Sequence, residues 1–208
     1  MSMKTSMPLG ALVLGIFIIA FFVSSCGTSP AAKFYTLTPI ILEKQAATGV
    51  GIDSSQPTVI GPVEIPEYLD RPEIVTRAEQ NQLILSEFNL WGGSLKADVN
   101  RVLIENVSYF LANDGIPVIT WKIGIGGTNR VPIQVVRFDG SPNDSITLKA
   151  RWAVIEKEGK AFDYFHESNI TVPVKGGSYG SVVAAMSEAL GQLGREIAEG
   201  IRSAVKKK

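Results

Sequence analysis

Ile65-Pro66-Glu67-Tyr68-Leu69-Asp70-Arg71-Pro72-Glu73-Ile74-Val75-Thr76-Arg77, followed by Asn81-Gln82-Leu83-Ile84-Leu85-Ser86-Glu87-Phe88 and Trp91, is the stretch from which the fold can be read outward. Pro66 and Pro72 each fix φ and remove a backbone donor, so together they bracket a turn. Residues 74–77 and 83–88 are rich in β-branched and large apolar side chains and read as two strands, with residues 79–82 as the hairpin between them. Ser94 is placed to cap a helix over residues 95–112. Its Val99, Val102, Leu103, Val107, Phe110 and Leu111 recur at i, i+3, i+4 spacing and so form one apolar face. Asn113-Asp114-Gly115 ends this helix, Gly115 supplying the left-handed residue common after helix ends.

Upstream, residues 33–37 read as a strand stopped by Pro39, residues 43–56 as a polar, small-residue loop, and residues 58–65 as a further strand. Gly61-Pro62 inside that last strand points to an edge position or a bulge. Downstream, residues 116–121 form a short strand and residues 124–129 a glycine-rich loop. Residues 133–139, 145–157 and 161–174 then make three strands, joined by turns at 140–142 and 158–159. Residues 179–205 are the longest helix, with Val182, Met186, Ala189, Leu190, Leu193, Ile197, Ile201 and Val205 as a continuous apolar stripe. Gly191, Gly194 and Gly200 each weaken it by up to about 1 kcal/mol relative to Ala, so packing must hold it. Two amphipathic helices against a mixed or mostly antiparallel sheet give a single layered α/β domain.

The amino terminus is of another kind. Lys4, an unbroken apolar run over residues 9–23 and small residues after it form the three parts of a secretory signal, and no acidic residue occurs before Glu43. The run is shorter than the roughly 20 apolar residues a membrane-crossing helix needs. It ends in Val23-Ser24-Ser25-Cys26, which resembles the lipobox of bacterial lipoproteins. That resemblance implies cleavage before Cys26, a diacylglycerol and an N-acyl chain on that residue, and no other cofactor. Cys26 is the only cysteine, and in an oxidising compartment an unmodified lone thiol would have no partner. Residues 1–25 are thus a removed signal peptide, 26–32 a lipidated tether and 33–208 the folded domain. Gly27, where aspartate commonly retains a lipoprotein at the inner membrane, implies an outer-membrane anchor with the domain facing the periplasm. One acyl chain binds only marginally, whereas several anchor stably.

The 208 residues, less the leader, suffice for one domain and are too few for two of ordinary size. Lys plus Arg and Asp plus Glu both number 20, so no global field recruits nucleic acid. Lys206-Lys207-Lys208 reads as a solvated, frayed helix end whose charge suits the C-terminal dipole, rather than as a lipid-headgroup or nucleic-acid patch. Gly176-Gly177-Ser178-Tyr179-Gly180 matches G-x-S-x-G between a strand and a helix, the setting of a hydrolase nucleophile. The acid and histidine should follow that serine, yet no Asp or His occurs after Ser178. Ser178 therefore reads as a helix cap, and the chain as a non-enzyme. The one histidine, His166, lies on a strand beside Tyr164 and Phe165, and alone it makes no metal site. Gly124-x-Gly126-Gly127 lacks the Lys-Ser/Thr of a phosphate loop.

The run from Pro62 to Leu95, the following Arg101-Val102-Leu103-Ile104-Glu105-Asn106-Val107-Ser108 helix and the Phe34-Tyr35-Thr36-Leu37-Thr38-Pro39 segment close behind a lipobox together resemble the PqiC/YmbA family of ABC-transport auxiliary lipoproteins. So do Val135-Val136-Arg137-Phe138-Asp139-Gly140 and Ala150-Arg151-Trp152-Ala153-Val154-Ile155-Glu156. The chain departs from that pattern at Trp91-Gly92-Gly93-Ser94-Leu95, where relatives more often carry an acidic residue and proline. The resemblance implies a non-catalytic subunit of an MCE/ABC-type transport system for lipid or another hydrophobic compound. It would dock the periplasmic MCE component at the outer membrane, beside inner-membrane partners, as a ring-like homo-oligomer. Asp70, Arg71 and Arg77 in the shared run are readable as surface ion pairs, turn-fixing residues or partner contacts, with Arg71 read as structural. The alternatives are a periplasmic ligand-binding or envelope-stress sensing lipoprotein, which needs a defined pocket, and the serine hydrolase set aside above.

Overall fold

Apolar and polar residues alternate along three successive strands, β6 (Arg130–Gly140), β7 (Ser145–Ile155) and β8 (Phe162–Pro173), and this alternation sets the layering. Ile146, Leu148, Ala150, Trp152 and Val154 of β7 are all buried, whereas Thr147, Lys149 and Arg151 between them are half-buried or exposed. Side chains two residues apart share a face, so one face of this sheet is apolar and must be covered. Two helices cover it, α1 (Leu95–Leu111) and α2 (Tyr179–Lys206). The computed structural model describes residues 29–40, 57–123, 129–155 and 162–206. By contacts the chain falls into two units, residues 1–31 and 32–208, and the fold described is that of the second.

The sequence reads as one sheet, but the structure has two. β5 (Val118–Thr120), β2 (Thr58–Glu64), β6, β7 and β8 form a five-stranded sheet in that order, while β1 (Lys33–Tyr35), β4 (Gln82–Trp91) and β3 (Glu73–Glu79) form a three-stranded one. Both are mixed: β2 runs parallel to β5 and β6, and β1 parallel to β4, whereas the β3–β4, β6–β7 and β7–β8 pairs are antiparallel. The Gly61-Pro62 pair gives a bulge, as its sequence implied, with the β2–β6 register shifting between Ile60 and Val63. It does not mark an edge, because β2 lies between β5 and β6. A glycine is required there: its φ is +102°, and a Cβ would lie 2.6 Å from the Trp121 ring.

Ser94 accepts a hydrogen bond from the Ala97 N–H and so caps α1. The helix ends at Leu111, a short 3₁₀ turn follows over Ala112–Asp114, and Gly115 is left-handed with φ 64°. The three interior glycines of α2 are close-approach points. A Cβ on Gly191 would lie 2.0 Å from Ile40 Cδ1, one on Gly194 2.8 Å from Asn106 Cβ of α1, and one on Gly200 2.5 Å from the Trp152 ring. The helix thus gives up local propensity where its neighbours come nearest.

The expected strand over residues 33–37 is shorter than the sequence suggests. It leaves the sheet after Tyr35, before Pro39 is reached. The loops expected over 43–56 and 124–129 fall almost entirely outside the described residues, as do the turn at 158–159 and the last two lysines of the tail.

Candidate functional site

Asp139 is the one carboxylate whose side chain is fully buried among the ion pairs described here. The β6–β7 register breaks between Val135 and Arg137, after which alternation puts Arg137 and Asp139 on one face and Phe138 on the other. Asp139 Oδ1 accepts from Arg77 Nε at 2.7 Å and Arg137 Nε at 2.9 Å, and Oδ2 accepts from Tyr68 Oη at 2.6 Å and Arg77 Nη2 at 2.8 Å. Arg77 Nη1 also donates to the Gln80 carbonyl at 2.7 Å, at the hairpin after β3. Burial alone pushes the Asp139 carboxyl up, but the hydrogen bonds from Arg77, Tyr68 and Arg137 outweigh it and hold the group below its ordinary value. Burial, with the hydrogen bond to Asp139, pushes the Tyr68 phenol up to about 12. Every acceptor site of the carboxylate is therefore occupied. The cluster ties the Pro66–Pro72 turn and β3 to β6, joining the small sheet to the large one, and offers no free acid or base for chemistry.

Of the three polar residues singled out in the sequence, Arg77 belongs to this cluster and the other two do not. Asp70 is exposed. Arg71, read as structural, has its side chain 40% exposed and reaches Glu73 only at 3.9 Å, a contact of the kind worth little. Tyr68, Arg137 and Asp139 were missed. A lone acid two residues after an arginine in an otherwise apolar strand was the available signal, though nothing local names Arg77 as its partner.

A second constellation holds residues 36–40, which lie across both helices as a strap. The Leu37 N–H and the Thr36 hydroxyl donate to Asp98 Oδ2 at 2.6 and 2.9 Å, and Arg101 Nη2 donates to the Leu37 carbonyl at 2.7 Å. The Thr38 N–H reaches Ser187 Oγ on α2 at 3.1 Å, and the Ile40 N–H reaches Asn106 Oδ1 on α1 at 2.9 Å. Leu37 is fully buried. Asp98 accepts from Arg101 as well, which helps raise the Arg101 guanidinium above its ordinary value. The strap's backbone donors are met by helix side chains, so it is fixed to the α-layer without belonging to a sheet.

Two shallow grooves flank the Trp91-Gly92-Gly93-Ser94 turn. One, of about 540 Å³, lies between Phe34–Thr36, this turn and the first turns of α1 as far as Arg101. The other, of about 360 Å³, is lined by Asp70, Arg71 and Pro72 on the far side of the turn. This brings Asp70 and Arg71 beside the segment where the sequence departs from the family pattern. Both grooves are open and carry charged groups at their edges.

Ser178 does what its sequence suggests. Its hydroxyl accepts from the Ser181 N–H at 3.1 Å at the start of α2. His166 is half-buried, 3.8 Å from Glu196, stacked on Tyr164 and tilted against Trp152. Among the described residues no group of three or more His, Cys, Asp or Glu side chains could hold a metal ion, and no helix is long and apolar enough to cross a membrane. Val23, Ser24, Ser25, Cys26 and Gly27 lie outside the described residues.

Comparison with known proteins bears on the whole domain. The model of a family described as ABC-type transport auxiliary lipoprotein component matches residues 35–198. No curated protein sequence matches the chain. Among solved structures, an uncharacterized protein is similar with a TM-score of 0.67 at 17% identity, over 83% of this chain and 99% of that one. A Xanthomonas campestris protein assigned to the family model DUF330 is similar with a TM-score of 0.65 at 16% identity, over 85% and 97%. At such identities the two structures speak to the fold alone.

Proposed function

Since the chain belongs to the family of ABC-type transport auxiliary lipoprotein components, of the PqiC/YmbA type, we propose that it is the lipid-anchored docking subunit of an MCE/ABC-type transport system. Membership makes it an auxiliary component of a transport system, and the family is one of transport lipoproteins rather than of enzymes. In the proposed mechanism, Cys26 carries the diacylglycerol and N-acyl chains, Gly27 directs the protein to the outer membrane, and the domain hangs in the periplasm. There it receives the end of an MCE-domain assembly through which lipid or another hydrophobic compound passes. The family match over residues 35–198 carries this reading, because it spans the folded body and begins just after the tether.

The geometry is consistent with a positioning role. Acid–base chemistry at Asp139 would require a free acceptor or a titratable proton, and the cluster leaves neither. The motifs shared with the family instead meet in structural contacts. Tyr68 and Arg77 of the first run bind Asp139 of the second, and Trp152 of the third donates to Ser168. The open grooves are too exposed to hide an acyl chain from water, so a shielded lipid path needs further copies or a partner. A ring-like homo-oligomer supplies it.

Envelope extract passed over the mature domain tests the docking role. Recovery of an MCE-domain protein supports it, while recovery of no transport component under conditions that preserve the partner assembly refutes it. Sedimentation at micromolar concentration tests the ring separately, since a monomer both with and without the MCE partner excludes it.

A further inference from the structure

We propose that the outer edge of β8, over residues 166–172, is a docking site for an extended, basic segment of a partner protein, which joins the large sheet as a sixth strand. Among the described residues β8 ends the order β5-β2-β6-β7-β8, with β7 on one side and no strand on the other. In a strand paired on one side only, every second residue turns its N–H and C=O away from the sheet. Another extended backbone is what matches such a row, and a chain lying along it is held by main-chain hydrogen bonds. Folded proteins commonly shorten or interrupt an edge strand to prevent this, and the other edges of this domain are so treated. β1 and β5 have three residues each, and β3 is broken by two register shifts against β4. β8 has twelve residues and pairs with β7 without a break from Tyr164 to Pro173. It holds no lysine, and its one proline is its last residue.

Charge selects the occupant. The β8 sequence contains Asp163 and Glu167 and no Lys or Arg. Ser168, Ile170 and Val172 are buried on the face that α2 covers, whereas Glu167, Asn169 and Thr171 are exposed on the other. On the α2 side, Glu196 accepts from the Ser168 hydroxyl and stands 3.8 Å from His166, its side chain partly exposed. On the opposite side Glu167 pairs with Arg151 of β7 at 2.8 Å, the one base that reaches β8 among the described ion pairs. Carboxylates therefore flank the edge on both faces. β8 of a second copy would bring the same acids to the same edge, and like charges across a strand pair are unfavourable. The remaining edges of a second copy are too short or too interrupted to span residues 166–172. Lys or Arg side chains on another protein meet opposite charge instead, and contacts between copies in a ring fall on other surfaces.

The test is residue-resolved hydrogen exchange of the full-length protein in uncharged detergent, with two eight-residue probe peptides, one alternating lysine and valine and the other glutamate and valine. The Lys–Val peptide should slow exchange at least tenfold at every second amide over residues 166–172, and the Glu–Val peptide should not. Replacing Glu167 and Glu196 together by glutamine, in a variant whose thermal melt matches wild type, should weaken Lys–Val binding at least fivefold. Added salt should weaken it in wild type as well, a measurement that needs no variant. Absence of protection with millimolar Lys–Val peptide overturns the proposal. Equal protection by both peptides, or binding that neither salt nor the double substitution weakens, overturns the choice of a basic partner. Slow exchange of the whole segment without peptide, at any protein concentration, means that this chain or a second copy already takes the edge, and overturns it too.

Discussion

Asp139→Asn isolates the contact that joins the two sheets. The substitution keeps the shape of the side chain and changes its hydrogen-bonding capacity. In the wild type both carboxylate oxygens accept, from Tyr68, from Arg137 and from two nitrogens of Arg77. An asparagine can still present one oxygen to Arg77 Nε and Arg137 Nε, but its amide nitrogen then faces Arg77 Nη2, which can only donate, and the Tyr68 hydroxyl, which must turn to accept. One favourable contact becomes a donor–donor conflict, the Tyr68 contact reverses, and two guanidiniums lose their counter-charge. Removing one partner of a buried pair costs about 3–5 kcal/mol. The Arg77 and Arg137 side chains retain 19% and 35% exposure, so water recovers part of this, and a loss of about 2–4 kcal/mol is expected. For a chain of this size that lowers Tm by roughly 4–16 °C, at about 2–4 °C per kcal/mol. Urea unfolding followed by circular dichroism measures it. The pH dependence supplies an internal check. The folded carboxyl lies below its ordinary value, so its contribution is complete above the ordinary carboxylate range and is lost as pH falls through the lowered folded value. The gap between wild type and Asp139→Asn should therefore be full at neutral pH and close on strong acidification. A variant within about 0.5 kcal/mol of wild type at neutral pH, or a gap that widens in acid, would refute this account of the junction.

Three further substitutions probe other contacts. Gly200→Ala should destabilise the domain by about 1–3 kcal/mol in thermal melts although alanine is the better helix former, because the new Cβ meets the Trp152 ring at 2.5 Å; a stabilised variant would mean that the ring yields freely. Asp98→Ala removes the acceptor of both the Leu37 N–H and the Thr36 hydroxyl, and hydrogen exchange at Leu37 should accelerate by at least tenfold while amides in the interior of β7 are unchanged. Ser178→Ala should cost about 1 kcal/mol as a lost helix cap, with no esterase activity to lose; disappearance of such an activity would reinstate the serine as a nucleophile.

What could be read from the sequence follows the range of the interactions. Helix α1 was legible to within a residue, because the Ser94 cap, the apolar periodicity and Gly115 are all local signals. The strands β6 to β8 were legible through alternation and short turns. The division into two sheets was not, since β1 pairs with β4 across more than fifty residues and β2 finds its parallel neighbours, β5 and β6, only after α1 has passed. Gly61-Pro62 reads as an edge or a bulge, and only the pairing of β2 on both sides decides for the bulge. The strap over residues 36–40 was hidden for another reason. Its hydrogen bonds run to side chains of Asp98, Asn106 and Ser187, and no periodicity encodes such partners. At the site, the charged run drew notice to Arg71, whose position on the surface needs no partner, while the buried partner of Arg77 lay 62 residues away in β6.

The central claim is that this protein acts by where it is held, and Cys26 is the residue that sets its place. The most direct measurement is palmitate labelling with membrane fractionation of wild type and Cys26→Ser, each carrying the complete domain. The account predicts a labelled wild type in the outer-membrane fraction and an unlabelled variant released in soluble form with an unchanged melt of the folded domain. A Cys26→Ser protein that remains in the membrane fraction as firmly as wild type would contradict it.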